Sequence, residues 1–232
     1  MLKQVVLFCL AAGLCTGVSC RIVPGDGGDG GTTDPTHPTL DETDAVIAIV
    51  QPAGSVEVDV TATITDSGGD SVELEGQQSV SVNEVELTEA AGDEYTATID
   101  ASDTYTVAVR EPTRGVERTT IDAPAEFVIT SPADGGAASL GGFTLEWSEP
   151  DETFQVVIRL SQVLPGGTEV VDFGPFTDTG QRTFSAADLY DFGGGTDLVI
   201  AVTKINTLNR IDGFDSGELS VRVSATSTAD PR

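Results

Sequence analysis

From Val56 to Ile64 apolar and polar residues alternate without a break, placing Val56, Val58, Val60, Ala62 and Ile64 on one face of an extended segment. A period of two is the mark of a strand with one buried side, because successive side chains of a strand point to opposite faces. Similar short runs follow at Ala45–Val50, Ser71–Leu74, Gln78–Val82, Val85–Leu87, Tyr95–Ile99, Thr104–Arg110 and Val116–Ile121. Turn-forming residues separate them, notably Asp66 to Asp70, Asn83 with Glu84, and the stretch around Gly92. So many short strands in so short a span predict an antiparallel β-sandwich over residues 41–122.

Pro124 marks a boundary, after which the pattern resumes over residues 123–226. An opening strand and turn are expected at Ala125–Gly135. Further strands are expected at Phe143–Pro150, Phe154–Leu160, Thr168–Phe173, Leu198–Asn206 and Ser216–Val223. A single helical turn is expected at Ser185–Leu189, with Ser185 as cap and Asp188 facing the helix amino terminus. The fold class is therefore all-β, two tandem antiparallel sandwiches, with residues 227–232 as a short tail.

Two stretches before Asp41 break the alternation. Met1–Ser19 has Lys3 in a short positive region, an apolar run from Val5 to Leu14, and small residues leading to Cys20, the shape of a cleavable secretory signal. It is too short to span a bilayer stably. Residues 20–40 are mostly Gly, Asp, Thr and Pro and cannot build a core, so they read as a linker of on the order of 25 Å as a flexible coil. The Asp26–Gly31 run is similar to calcium-binding glycine and aspartate repeats, but it lacks their periodic apolar residue and does not recur.

The approach Gly17-Val18-Ser19 to Cys20 resembles the lipobox of bacterial lipoproteins, with Gly17 standing where Leu is usual. That resemblance implies that Cys20 becomes a lipidated amino terminus and holds the chain on a membrane. Arg21 is not the Asp that retains such proteins in the inner membrane of enterobacteria-like systems, so the resemblance implies the outer membrane. Two further resemblances concern the folded part. Asp103, Tyr105, Val107 and Val109 resemble the tyrosine corner of immunoglobulin-like domains, with Val107 where antibody domains place a cysteine. Trp147 with Pro150 and Phe154, and the late strands ending in Asn206 and beginning at Ser216, resemble fibronectin type III domains. The latter implies a core role for Trp147.

Composition narrows the function. The chain has 38 acidic and 11 basic residues; without Lys3 the balance becomes 10 minus 38, or -28. Such a surface repels nucleic acid and anionic lipid, which excludes phosphate-seeking roles. Of 3 cysteines, Cys9 and Cys15 lie inside the signal-like segment, so the remainder holds no disulfide pair. His37 is the only histidine, so nucleophilic triads and His-containing metal centres lack their parts, and no enzyme is expected. Carboxylates remain: Asp151-Glu152 and the Asp212–Asp215 stretch could join to form the pair a carboxylate mechanism would need. Calcium is the one metal with matching ligands, at Asp66 with Asp70, Asp100 with Asp103, or Asp212 with Asp215, although turn formation explains the same residues and no cofactor is required. A sugar-binding face would draw on Trp147, Tyr190, Phe192 and Phe214. The expectation is a non-catalytic interaction or structural module at the cell envelope, with a secreted carbohydrate-binding protein as the alternative.

Overall fold

Alternation in the sequence becomes alternation in burial. A computed structural model of the protein describes residues 39–90, 94–194 and 196–232. The signal-like segment, Cys20, His37 and nearly all of the linker lie outside the described residues. Following a 3-10 turn at Leu40–Glu42, the strands are β1 (Asp44–Gln51), β2 (Glu57–Thr65), β3 (Ser79–Val82), β4 (Val85–Glu86), β5 (Thr88–Glu89), β6 (Glu94–Asp100), β7 (Thr104–Glu111) and β8 (Gly115–Asp122). There follow β9 (Ile129–Ser131), β10 (Gly136–Ala138), β11 (Gly142–Trp147), β12 (Gln155–Leu164), β13 (Gly167–Thr177), β14 (Gln181–Ser185), β15 (Leu198–Leu208) and β16 (Ser216–Pro231). The fold is all-β, and its open, mainly antiparallel sheets are layered as sandwiches.

In β2, Val58, Val60, Ala62 and Ile64 are all buried to within 1%. Val56 is not; it precedes the strand and is 78% exposed, its carbonyl accepting the Ala101 N–H. Ser71–Leu74 pairs through one isolated bridge, Ser71 to Thr65, and its Leu74 N–H donates to the Tyr95 hydroxyl at 2.7 Å, so no strand forms there. Asn83 and Glu84 both take positive φ, 48° and 70°, the conformation of a tight two-residue hairpin turn whose twist matches that of its strands, here β3 and β4. Tyr105 is fully buried, and its hydroxyl accepts the Ser102 N–H at 3.1 Å, closing the corner between β6 and β7. Val107 packs beneath it with no exposure.

Two apolar cores result. One gathers Ile47, Ile49, Val60, Ile64, Val80, Tyr105 and Val107, the other Leu145, Trp147, Ile158, Leu160, Phe184, Leu198 and Ile200. The sheets beneath them are not divided in the same way. A four-stranded sheet β4-β3-β7-β8 covers the first core and a three-stranded sheet β14-β11-β9 the second, while one large sheet runs β13-β12-β15-β16-β1-β2-β6-β5 under both. The continuity comes from β16, whose sixteen residues exceed the ordinary length of a strand. Its first half pairs in parallel with all of β1, from Asp44 opposite Ser216 to Gln51 opposite Val223. Leu219 and Val221 enter the first core; Val223, Ala225 and Ala229 enter the second. Residues 227–231, expected as a tail, therefore continue β16, where Ala229 to Pro231 pair with β10. The close approach of β1 requires Gly217, since a Cβ there would lie 2.9 Å from the Ala45 carbonyl oxygen.

The connection between β15 and β16 also serves the first core. Ile211 and Phe214 from this loop are buried in it, and Gly213, at φ +101°, lets the chain turn against Val109, where a Cβ would come within 2.8 Å. The loop and the end of β15 seal the edge strand β8: the Asp212 N–H donates to Thr119 Oγ1 at 2.7 Å, and Asn206 Nδ2 of β15 donates to the Asp122 carbonyl at 2.8 Å. Ser185–Leu189 forms a turn rather than a helix. The Asp188 carboxylate accepts both the Ser185 N–H and its hydroxyl, a contact that completes one turn, and the chain then leaves to bury Leu189 and Phe192. Among the described residues no helix is long and apolar enough to cross a membrane.

Candidate functional site

Among the described residues the strongest concentration of polar chemistry is inside the second core. The inward positions of β15 read Leu198, Ile200, Val202 and Lys204, so the strand carries an ammonium group to a place where its neighbours are aliphatic. Lys204 is fully buried. Its Nζ lies 3.0 Å from Oδ2 of Asp178, which follows β13 and is also fully buried. Oδ1 of the same carboxylate accepts the Trp147 Nε1–H at 2.7 Å and the Gly180 N–H at 3.2 Å, while Oδ2 also accepts the Asp151 N–H at 3.2 Å. Nζ donates in addition to the Ser148 carbonyl at 3.4 Å and to the Glu149 carbonyl, and it sits 4.6 Å from the centre of the Phe127 ring. Glu149 has φ +53°, a left-handed conformation, in the turn whose carbonyls face the amine.

Two buried charges in contact cost several kcal/mol each to desolvate, and the pair persists only when the remaining hydrogen-bonding capacity is filled. Here it is filled, from the end of β11, the loop after it, the loop between β13 and β14, and β15. Chemically the site is a shielded amine against a shielded carboxyl group. It offers no opening to a soluble ligand. Trp147, 5% exposed and hydrogen-bonded at its nitrogen, is a core residue and not a sugar platform.

The calcium candidates sort differently. Asp66 Oδ1 accepts the Gly68 N–H at 2.8 Å and the Asp70 N–H at 2.9 Å, the signature of an Asx turn. Asp212 is held by Thr119 and lies 3.4 Å from Arg210, and the Asp215 N–H donates to the Thr43 carbonyl. Asp66 and Asp215 do share an open depression of about 540 Å³ with Asp41, Glu42 and Ser67, a meeting across sequence that no local spacing announces. Asp70 and Asp212 do not line it. Asp41 is engaged by Arg114 at 2.8 Å, and chiefly a hydrogen bond with the Thr39 side chain holds its carboxyl below the usual range. Among the described residues no group of three or more His, Cys, Asp or Glu side chains is placed to hold a metal ion. Asp103 uses its carbonyl to accept the Ala123 N–H. Asp151 accepts both the N–H and the hydroxyl of Thr153, so it and the Asp212–Asp215 loop are tied to different elements. Of the loop aromatics, Phe192 and Phe214 are buried at 7% and Tyr190 is 84% exposed.

Several exposed carboxylates act as pins. Asp134 Oδ1 accepts the Thr228 hydroxyl at 2.7 Å and its N–H at 2.9 Å, fastening the β9–β10 turn to the end of β16. These bonds hold the Asp134 carboxyl below its usual range; the Thr153 hydroxyl does the same for Asp151, and the Ser185 N–H for Asp188. A carboxylate depressed in the folded state stabilises fully above its unfolded pKa, about 3.9, and that contribution is lost as pH falls through the lowered folded value. The thermal midpoint is therefore expected to drop on acidification below about pH 4, and to drop less steeply in Asp134→Asn. Differential scanning calorimetry across that range checks this; parallel acid limbs for the two proteins would refute the assignment.

No family model matches the chain, and no curated protein is significantly similar to it.

Proposed function

We propose that the chain is a bacterial lipoprotein of the outer membrane, anchored through Cys20, whose folded part acts without catalysis as an interaction or structural module of the cell envelope. The observation that carries this reading is the first twenty residues: a charged start, an apolar run and small residues ending on the one cysteine outside the signal-like segment. Acylation with more than one chain anchors a protein stably, where a single chain binds only marginally. A balance of -28 keeps the exposed part from adsorbing to anionic surfaces, consistent with a protein held by its anchor and not by its face. Placement of the two sandwiches in the immunoglobulin-like and fibronectin type III-like groups belongs to the same reading; its support is the Tyr105 corner and the buried Trp147. With Trp147, Phe192 and Phe214 buried, no observation favours carbohydrate binding over it.

Expression of the full chain in a bacterium fed labelled palmitate tests the anchor. The protein should carry label and sediment with membranes, and Cys20→Ala should abolish the label and release the folded part to the soluble fraction. Unlabelled wild type, or a Cys20→Ala protein still in the membrane fraction, would overturn the reading.

A further inference from the structure

We propose that Lys204 and Asp178 are joined by an intramolecular amide bond, formed by the protein itself across the second core. The inference is independent of the anchor and rests on the geometry around the pair. Nζ lies 3.0 Å from Oδ2 with both residues fully buried, so the amine and the carboxyl group are held at contact by the fold. Intramolecular groups fixed in this way react as if at an effective concentration of up to about 10⁵–10⁸ M.

The surroundings differentiate the two carboxyl oxygens. Oδ1 receives the Trp147 Nε1–H at 2.7 Å and the Gly180 N–H at 3.2 Å, two donors aimed where negative charge collects when nitrogen adds to the carboxyl carbon. Oδ2 faces the amine and is the oxygen that leaves. The Ser148 and Glu149 carbonyls orient Nζ from the other side. The paired ammonium and carboxylate contain every atom required. One Nζ proton passes to Oδ2 across the 3.0 Å contact, which frees the nitrogen lone pair; the Nζ–Cγ bond then forms, a second Nζ proton passes to the same oxygen, the Cγ–Oδ2 bond breaks and Oδ2 departs as water, the third proton remaining on the amide. No oxidant, reductant or activating group enters. The product removes both charges from a medium in which each is expensive. Its carbonyl keeps the Trp147 and Gly180 donors, its N–H keeps a backbone carbonyl, and the Asp151 N–H turns to water at the exposed Asp151. Exclusion of water from the core opposes the reverse hydrolysis.

Tryptic mapping of the denatured full chain, after incubation at neutral pH, decides the matter. Cleavage after Arg159, Arg182 and Arg210 isolates the segments Leu160–Arg182, carrying Asp178, and Thr183–Arg210, carrying Lys204. The expected major species is these two segments joined, one water lighter than their sum and uncut at Lys204. Lys204→Arg, which keeps the charge and removes the amine, should release Leu160–Arg182 as a linear peptide. If wild type gives linear Leu160–Arg182 and cleavage after Lys204 as its major products, the proposal fails, whatever the variant does.

Discussion

A chain running from Thr39 to Asp122 is expected to remain unfolded, although it contains every strand from β1 to β8. The first core is completed from outside that span by Ile211, Phe214, Leu219 and Val221, all at 7% exposure or less. Burying an aliphatic or aromatic side chain of this size stabilises by about 1.5–3 kcal/mol, so the four together contribute on the order of 6–12 kcal/mol. That is comparable to the whole stability of an ordinary domain, about 5–15 kcal/mol. Truncation also strips β1 of its parallel partner along its full length, leaving an open edge at Asp44–Gln51 next to the buried positions Ile47 and Ile49. Residues 39–232, which keep β16, should unfold in a single cooperative transition in urea. A cooperative transition and dispersed amide resonances from the truncated chain would show that the first core stands without the hairpin.

Local physics made most of the strands legible. Where one face of a strand is buried and the other wet, as in β2 and β7, the period of two is written into Val58 to Ile64 and into Tyr105, Val107 and Val109. The two positive-φ residues at Asn83 and Glu84 were readable as a turn for the same kind of reason, because Asn tolerates that conformation. What alternation cannot supply is the partner of each strand. β1 and β16 lie at opposite ends of the folded chain, and nothing in Ala45–Val50 specifies a parallel neighbour at Gly217–Arg222. The second half of β16 escaped because its inward residues are small or polar, Ala225, Ser227 and Ala229, with Thr226 and Thr228 between them. That half is held by its neighbours in other ways, pairing along its edge with β10 and bonding the Ser227 hydroxyl to the Pro132 carbonyl, so no large apolar side chain advertises the strand.

The buried pair was half legible. Lys204 falls on the apolar face of an alternating strand, and a cation at such a position must have a partner within the core. Which partner could not be read, since Asp178 is one of 38 acidic residues and stands beyond the end of β13 in a stretch without pattern. The depression that joins Asp66 to Asp215 was hidden in the same way: each residue announced a turn, and only the fold of the β15–β16 loop against the first core brought the turns together.

Asp178→Ala should lower stability by about 3–5 kcal/mol, because it leaves a buried ammonium without its counter-charge. The informative comparison is with the double variant Asp178→Ala/Lys204→Met. Neither protein can form an amide, so their difference reports on the uncompensated charge alone. Methionine has nearly the length of lysine and no charge to desolvate, and it lies against Phe127 and the aliphatic neighbours Val202 and Val156. Both variants leave the Trp147 Nε1–H without its acceptor, so that cost of about 1–3 kcal/mol cancels between them. Adding Lys204→Met to Asp178→Ala should therefore raise the urea midpoint above that of the single variant, although it removes a further native side chain. A double variant less stable than the single one would mean that the ammonium is not penalised once Asp178 is gone, and that the Ser148 and Glu149 carbonyls, with Phe127, suffice to hold it.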